Sequence, residues 1–374
     1  MNRRPRVLFI SRERHRLPLP DGQRRKWDAL GERMDLRVLA ASAAGAQTGD
    51  PRFRLARQVR PLSLDGPLFY LLLPFRIARE LRDFRPDVVI AQNVHETSAA
   101  LGARAAVGSR ARVVLELHGD WRVATRLYGS APRRLLNPLN DRIGPYAVRH
   151  ADAVRTISAW TAGLVRAEGV EPAAVFPAFV DVAAFREPPP HPPREPRVLF
   201  VGVLEAVKGF DVLVEAWPEV ARAVPSARLH VVGRGALAGD AGRLATDLPG
   251  TVERDGQLDP PGVAAALDAA TVLVLPSRAE GLGRVVIEAF CRARPVVAVR
   301  AGGIPDIVED GENGLLVAPG DPSALAGAIR RVLTEPGLAE RLGAAALAEA
   351  PRWAVSPEAY AERVEALVHD ALEG

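Results

Sequence analysis

The chain has 374 residues and a mass of 40.1 kDa, with 48% hydrophobic and 25% charged residues. It is long enough for about two domains, which excludes a single small module and a disordered chain. The formal net charge of +4 is unevenly divided, because residues 1–187 carry a net charge of +12 and the rest −8. This division indicates that the first half either meets an anionic partner or has a solvated, arginine-rich surface.

The composition also bears on the cellular compartment. A single cysteine, Cys291, excludes an intrachain disulfide and a cysteine-based zinc cluster. The longest nearly apolar stretch, 67–75, is far shorter than the ~20 residues of a membrane-spanning helix. The basic start MNRRPR continues directly into a strand-like VLFIS and is not typical of a signal peptide. We therefore expect a cytoplasmic protein.

Short apolar runs alternate with amphipathic segments through the first half. The runs predict strands at 6–11, 35–40, 87–91, 112–117 and 153–157. The amphipathic segments predict helices near 23–33, 69–84, 96–107, 132–150 and 159–168. This alternation is typical of a buried parallel sheet with crossover helices, so we expect an N-terminal Rossmann-like domain over residues 1–187.

The same alternation returns after a proline-rich segment. Six prolines within residues 187–196 disfavour helix and sheet and predict a semi-rigid linker at 188–196. Further strands are predicted at 197–202, 227–233, 271–275, 295–299 and 314–317. Further helices are predicted at 209–224, 322–333 and 338–350. We expect a second Rossmann-like domain over 197–352 and a C-terminal segment, 353–374, whose helix at 357–372 crosses back toward the first domain.

The predicted fold class is therefore α/β, with two Rossmann-like domains that face each other. Ligands of open parallel sheets bind beyond the carboxyl ends of the strands. Two such edges facing each other predict an interdomain cleft that suits a reaction between two substrates.

The segment that follows the strand at 271–275 carries an anion-binding pattern. It runs from a turn into a helix, and Gly281 and Gly283 let the backbone approach a ligand closely. The amides of Leu282, Gly283 and Arg284 at the helix start suit a phosphate.

Two carboxylates lie on either side of this anion site. Glu280 comes just before the helix and Glu288 lies about one turn inside it. Both suit hydrogen bonds from sugar hydroxyls better than contact with a phosphate. In isolation, however, such a pair is usually a solvated acid at a helix start and a charged residue on a helix.

Three further positions also follow predicted strands, so we expect them at the carboxyl-end edge of a sheet. Lys208, one of only two lysines, follows Gly202 and a strand, where an ammonium could neutralise a leaving diphosphate. His118 and Gly119 follow the strand at 112–117, although a structural histidine is the ordinary alternative. Gly22 lies in a turn after the first strand, which could equally be a surface turn.

In this order and spacing, the motifs resemble the retaining glycosyltransferases of family 4, which have the GT-B fold. The resemblance covers nearly the whole chain and is strongest from 197 to 333. It continues beyond the carboxylate pair through Pro295-Val-Val-Ala, Gly302-Gly-Ile-Pro-Asp306 and Asn313-Gly-Leu-Leu-Val317 to Asp321.

The resemblance implies donor-binding roles for the second half. Glu280 would hold hydroxyls of the transferred sugar, and Glu288 the ribose of the nucleotide. The three helix-start amides would bind the diphosphate, beside the strand end at Gly202, and Lys208 would stabilise the departing phosphate.

The resemblance also implies roles for the first half and for the reaction. His118 would contact the donor sugar near the reacting centre, and Gly22 would border the diphosphate or the acceptor. Such enzymes are similar in using no essential metal or cofactor, and no Asp-x-Asp triplet occurs here. The implied reaction is a same-face substitution through an oxocarbenium-like transition state. The leaving phosphate would help to deprotonate a glycan, lipid-linked or small-molecule acceptor.

Two positions depart from the family pattern. The family usually has Gly-Arg-Leu where this chain has Gly202-Val203-Leu204, so an arginine expected at the diphosphate is absent. A hydrogen bond to a charged group contributes about 1.5–3 kcal/mol, and Arg284 or Arg278 could compensate for its loss. The glycine-rich first loop of the family is also reduced to Gly22.

Other functions remain open at this point. A dinucleotide-dependent oxidoreductase is suggested by Gly233-Arg-Gly235-Ala-Leu-Ala238 with Glu253 and Asp255 about 20 residues on, although this element follows a second strand rather than a first. A non-catalytic binder of nucleotide sugars is suggested by Val203, and an epimerase on the same fold is a smaller alternative. Nucleic-acid binding is not supported, because no recognition motif interrupts the α/β pattern.

One segment suggests contact with a membrane surface. Leu68 to Phe75 is followed by Arg76, Arg79, Arg82 and Arg85 at near-helical spacing. This pattern could bring the protein to an anionic bilayer. The alternative is a core helix with an exposed arginine stripe.

Overall fold

The computed structural model describes residues 3–43, 49–126, 137–186 and 195–374. Residues 188–194 of the predicted linker and the start of the helix predicted at 132–150 lie outside these residues. The chain divides into two units. The first contains Met1–Phe179 and Val355–Gly374, and the second contains Val180–Ala354, whereas the sequence suggested a boundary at residue 187.

The first unit is a parallel sheet with crossover helices. Its strands are β1 (Arg6–His15), β2 (Asp35–Ser42), β3 (Phe53–Ala56), β4 (Val88–Gln92), β5 (Arg112–Leu117), β6 (Ala153–Thr156) and β7 (Ala174–Val175). Its helices up to this point are α1 (Asp21–Arg33), α2 (Leu62–Asp83), α3 (Asn93–Val107), α4 (Val123–Arg126), α5 (Asn137–His150) and α6 (Ala159–Arg166). The strand order within the described residues is β3-β2-β1-β4-β5-β6-β7.

The second unit repeats this architecture. Its strands are β8 (Arg197–Val201), β9 (Arg228–Val232), β10 (Val252–Asp255), β11 (Val272–Leu275), β12 (Val296–Val299) and β13 (Gly314–Val317). Its α-helices are α7 (Phe210–Ala223), α8 (Ala238–Asp247), α9 (Pro260–Ala269), α10 (Arg284–Cys291), α11 (Pro322–Thr334) and α12 (Leu338–Trp353). The strand order in the described residues is β10-β9-β8-β11-β12-β13, and every pairing is parallel.

Inner strands carry continuous apolar sequence because helices cover both faces of each sheet. All four residues of β11 and all four of β12 are buried, and four of the five residues of β4 are buried. Edge strands differ, since three of the four residues of β10 are exposed. In each sheet the strand order reverses at one switch point, which lies between β1 and β4 in the first unit and between β8 and β11 in the second. Ligands of open parallel sheets bind at such a switch point, so each unit can bind a ligand at the loops after these strands.

The last helix, α13 (Pro357–Glu373), returns to the first unit, as the sequence predicted. Ser356 caps it by accepting a hydrogen bond from the amide of Ala359, at 3.2 Å. Its apolar face is buried in the core that also contains α1. Arg33 of α1 pairs with Glu362 and Glu365 at the rim, at 2.8 and 2.5 Å.

None of the helices in the described ranges is long and apolar enough to cross a bilayer. The helix predicted at 69–84 begins earlier than expected, because α2 extends back to Leu62 and contains both Pro67 and Pro74.

Candidate active site

The turn between β11 and α10 presents a row of amides. Gly283 is the residue before the helix and has a φ of 72°, a left-handed conformation that favours glycine. A Cβ atom at Gly283 would lie 2.6 Å from Ile304 Cδ1, so the close packing also requires glycine. Within the described residues, no protein acceptor takes the amide hydrogens of Leu282, Gly283 or Arg284. These amides are available to an anion at the helix N-terminus.

A second glycine turn holds the backbone of Glu280. Gly302 has a φ of 59°, and a Cβ atom there would lie 2.1 Å from the carbonyl oxygen of Glu280. The amide of Gly303 donates a hydrogen bond to that oxygen at 2.9 Å. Gly302 and Gly303 therefore pack directly against the backbone of Glu280, a contact that the sequence did not reveal.

Lys208 and Glu280 form an ion pair through Nζ and Oε1. The hydroxyl of Ser277 also lies 3.0 Å from Oε1 of Glu280. Lys208 ends a 3-10 turn over Ala206–Lys208, and Gly209, with a φ of 65°, leads from this turn into α7. A Cβ atom at Gly209 would lie 1.8 Å from the carbonyl oxygen of Pro276, so the two turns are in direct contact. An ammonium has three donors, which leaves Lys208 able to bind a phosphate while it contacts Glu280.

Glu288 is a partly buried carboxylate on α10. Burial raises the pKa of its carboxyl group above the ordinary value, and the Arg284 guanidinium opposes this shift. Within the described residues, no group hydrogen-bonds the Glu288 carboxylate. A partly buried carboxylate that has no hydrogen-bond partner among the described residues is suited to accept hydrogen bonds from a ligand hydroxyl.

We expect Glu288→Gln to raise the thermal stability of the ligand-free protein. The raised pKa means that the folded state favours the protonated carboxyl, so the ionised form costs stability above that pKa. The gain should be larger at pH 8 than at pH 5, because protonation removes the cost as pH falls. Thermal unfolding at both pH values measures it, with Glu219→Gln on the exposed face of α7 as the control. A gain that does not depend on pH would contradict this account.

Val203 is exposed, and the contacts of Arg278 and Arg284 show which of them could replace the arginine that the family usually has at this position. Arg278 binds both carboxylate oxygens of Asp211, at 2.6 and 2.7 Å, and also donates to the carbonyl oxygen of Ala206. The Arg278 guanidinium is already bonded to protein groups. It therefore does not fit the role that the sequence allowed, which is to replace the missing arginine at the diphosphate. Arg284 is exposed at the start of α10 and retains that possibility.

His118 and Gly22 belong to the first unit. Nδ1 of His118 lies 3.1 Å from Nε2 of Gln92, and its buried Nε2 lies 3.3 Å from a carboxylate oxygen of Glu116. Glu116 is in turn paired with the buried Arg155. Both ring nitrogens thus face protein groups, one at the end of β4 and one in β5. Gly22 is buried in the first turn of α1 rather than in a surface turn.

The two acidic residues that suggested a dinucleotide-binding site both contact other side chains of the protein. Glu253 pairs with Arg197 at 2.5 Å, and Asp255 lies 2.8 Å from Nε2 of His230. These contacts occupy the two carboxylates that would have bound a ribose. The glycine element follows β9, which is the second strand of its unit.

Comparisons with known proteins agree on one family. Residues 27–184 match the family model described as Glycosyltransferase Family 4, and residues 195–335 match the model Glycosyl transferases group 1. The D-inositol 3-phosphate glycosyltransferase of Segniliparus rotundus is 36% identical over 191 residues, which cover 49% of this chain and 41% of that protein. The chain thus matches under half the length of this relative.

Solved structures agree on the fold. Sucrose-phosphate synthase from Thermosynechococcus elongatus has a TM-score of 0.79 at 22% identity and covers 98% of this chain and 99% of its own. The Anabaena protein HepE in complex with UDP-glucose has a TM-score of 0.70 at 19% identity and covers 99% of both chains. The chain belongs to glycosyltransferase family 4 and has two Rossmann-like units of the GT-B type.

Proposed function

We propose that the protein is a retaining glycosyltransferase. It moves a sugar from a nucleotide-diphosphate sugar to an acceptor hydroxyl without an essential metal. The observation that carries the proposal is the grouping of the Lys208 and Glu280 ion pair with the unbonded amides of residues 282–284. A cation and a helix N-terminus together suit a leaving diphosphate, whose charge grows as the glycosidic bond breaks.

The two carboxylates then have different tasks. Glu280 is fixed by Gly303 and Ser277, which suits a group that orients hydroxyls of the transferred sugar. Glu288 has no such partner in the described residues, which suits the ribose of the nucleotide. His118 would act from the first unit near the reacting carbon, with its orientation set by Gln92 and Glu116.

The reaction would proceed on one face of the sugar. The bond from the anomeric carbon to the diphosphate oxygen breaks, and its electron pair stays on the diphosphate. The acceptor oxygen bonds to the same face of that carbon, and its proton passes to the departing phosphate. The arginine-rich first half of the chain suits an acceptor that carries negative charge. The name of the inositol 3-phosphate relative supports a phosphorylated acceptor.

A calorimetric screen of UDP, GDP, ADP and their common sugar conjugates in EDTA tests the donor site. We expect one nucleotide sugar to bind the parent, and Lys208→Ala and Glu288→Ala both to weaken that binding. The matched control is Glu219→Ala. Failure of every conjugate to bind, or equal binding by the parent and both site variants, would overturn the assignment.

The second candidate is a non-catalytic binder of nucleotide sugars, which the exposed Val203 favours. Such a protein would bind the same donor with the same dependence on Glu288. It would differ by leaving the donor intact, both with acceptors and over long incubation in water.

We also propose that the protein is cytoplasmic and that α2 brings it to an anionic membrane surface. Leu71 and Phe75 are 66% and 73% exposed, and they lie one turn apart on the same face as Leu64. Arg79 and Arg82 continue that face toward the end of the helix, and both are exposed. An exposed apolar stripe followed by arginines suits insertion beside anionic headgroups.

Vesicle sedimentation tests this contact. We expect the parent to bind vesicles with anionic lipid more strongly than neutral vesicles, and the pair Leu71→Ser and Phe75→Ser to remove the binding. Leu347→Ser, at an exposed leucine of α12, is the control. Equal binding to neutral and anionic vesicles would contradict the proposal.

A further inference from the structure

The element Gly233-Arg-Gly235 packs closely against the loop that follows β8, and it has no role in the function proposed above. Gly233 has a φ of 152°, and a Cβ atom there would lie 1.9 Å from the carbonyl oxygen of Gly202. A Cβ atom at Gly235 would lie 2.4 Å from the carbonyl oxygen of Leu204. The amide of Leu204 donates to the carbonyl oxygen of Arg234 at 3.0 Å. The backbone on both sides of Arg234 is therefore fixed against the loop that follows β8.

The side chain of Arg234 is exposed and uncommitted. Within the described ranges, no carboxylate or carbonyl oxygen pairs with its guanidinium. The guanidinium lies beside Gly256, where a Cβ atom would come within 3.2 Å of Nε and Nη2 of Arg234. Gly256 directly follows β10, so this cation stands at the carboxyl ends of β9 and β10.

The strand order gives the approximate distance between Arg234 and the helix-start amides that suit a phosphate. The strands run β10-β9-β8-β11, and the helix-start amides follow β11. Neighbouring strands lie about 4.8 Å apart, so the ends of β9 and β10 are roughly 10–14 Å from the end of β11. That separation is too large for contact with the same phosphate. It suits the far end of a nucleotide whose diphosphate lies at residues 282–284.

We propose that Arg234 recognises the base of the donor nucleotide and selects an oxo base, guanine or uracil, over adenine. This inference rests on the proposed function, since it extends the same donor site. A guanidinium has only N–H donors in a planar fork. Guanine presents O6 and N7 as neighbouring acceptors, and uracil presents carbonyl oxygens. Adenine presents an amino group beside N7, and that amino group has no acceptor on an arginine.

Calorimetry with GDP, UDP, ADP and inorganic pyrophosphate tests the inference on the full chain. We expect GDP or UDP to bind the parent more tightly than ADP, and Arg234→Ala to weaken that nucleotide about 10–100-fold. ADP and pyrophosphate should change little. Arg234→Lys should recover part of the affinity, because a lysine still donates to a carbonyl oxygen but without the fork.

The control variant is Arg254→Ala, which removes an exposed arginine from the neighbouring edge strand. Unchanged GDP and UDP affinity in Arg234→Ala, together with a loss in Lys208→Ala, would overturn the base assignment and leave the proposed donor site standing. An equal loss for ADP and pyrophosphate would also overturn it, since Arg234 would then act on phosphate. Absence of nucleotide binding by the parent would overturn the proposed function itself.

Discussion

Replacing Lys208 by alanine is expected to slow cleavage of the nucleotide sugar by about 10²–10³-fold. The ammonium contacts Glu280 in the ligand-free protein and has donors left for the leaving diphosphate. Its loss removes charge stabilisation that is greatest when the bond is nearly broken. The rate of nucleoside diphosphate release, measured at saturating donor, reports the effect.

Lys208→Arg separates charge from shape in this prediction. It keeps a cation at the end of the 3-10 turn and should recover part of the rate, whereas Glu219→Ala should leave the rate unchanged. A Lys208→Ala protein that cleaves donor at the parent rate would remove the lysine from the mechanism.

The second large effect is expected for Gly302→Ala. Its Cβ atom would lie 2.1 Å from the carbonyl oxygen of Glu280, so one of the two backbone segments must move. We expect a loss of at least about 2 kcal/mol in the free energy of unfolding, together with loss of donor binding as Glu280 is displaced. Urea unfolding and calorimetry measure the two losses.

Gly311→Ala is the matched control for that change. Gly311 also has a left-handed φ, of 83°, but no described atom lies within 4 Å of a Cβ there. It should lose about 1 kcal/mol from backbone strain alone and retain donor binding. Equal losses in the two variants would mean that the contact with Glu280 is not what requires glycine at position 302.

The sequence predicted the inner strands because burial on both faces leaves continuous apolar runs. It missed β3, β7 and β10 for the opposite reason. β10, Val-Glu-Arg-Asp, lies at an exposed edge and carries polar residues, and β7 has only two residues. The start of α2 was missed because it precedes Pro67, a residue that usually ends a helical prediction.

The part of the site that lies within one short segment of the chain could be predicted from the sequence. The spacing of Glu280 and Glu288 around a glycine turn is visible in the sequence, and so is the helix start between them. The ion pair of Lys208 with Glu280 joins residues far apart in the chain, so only the fold reveals it. The commitment of Arg278 to Asp211 is a tertiary contact of the same kind.

The proposed function depends on one step, in which this site breaks the bond between a sugar and a nucleoside diphosphate. The most direct measurement is ³¹P and ¹H NMR of the bound nucleotide sugar, incubated with the parent protein in EDTA. We expect release of the nucleoside diphosphate and a sugar that first appears with the anomeric configuration of the donor, both lost in Lys208→Ala. A donor that binds but stays intact, or a product of inverted configuration, would contradict it.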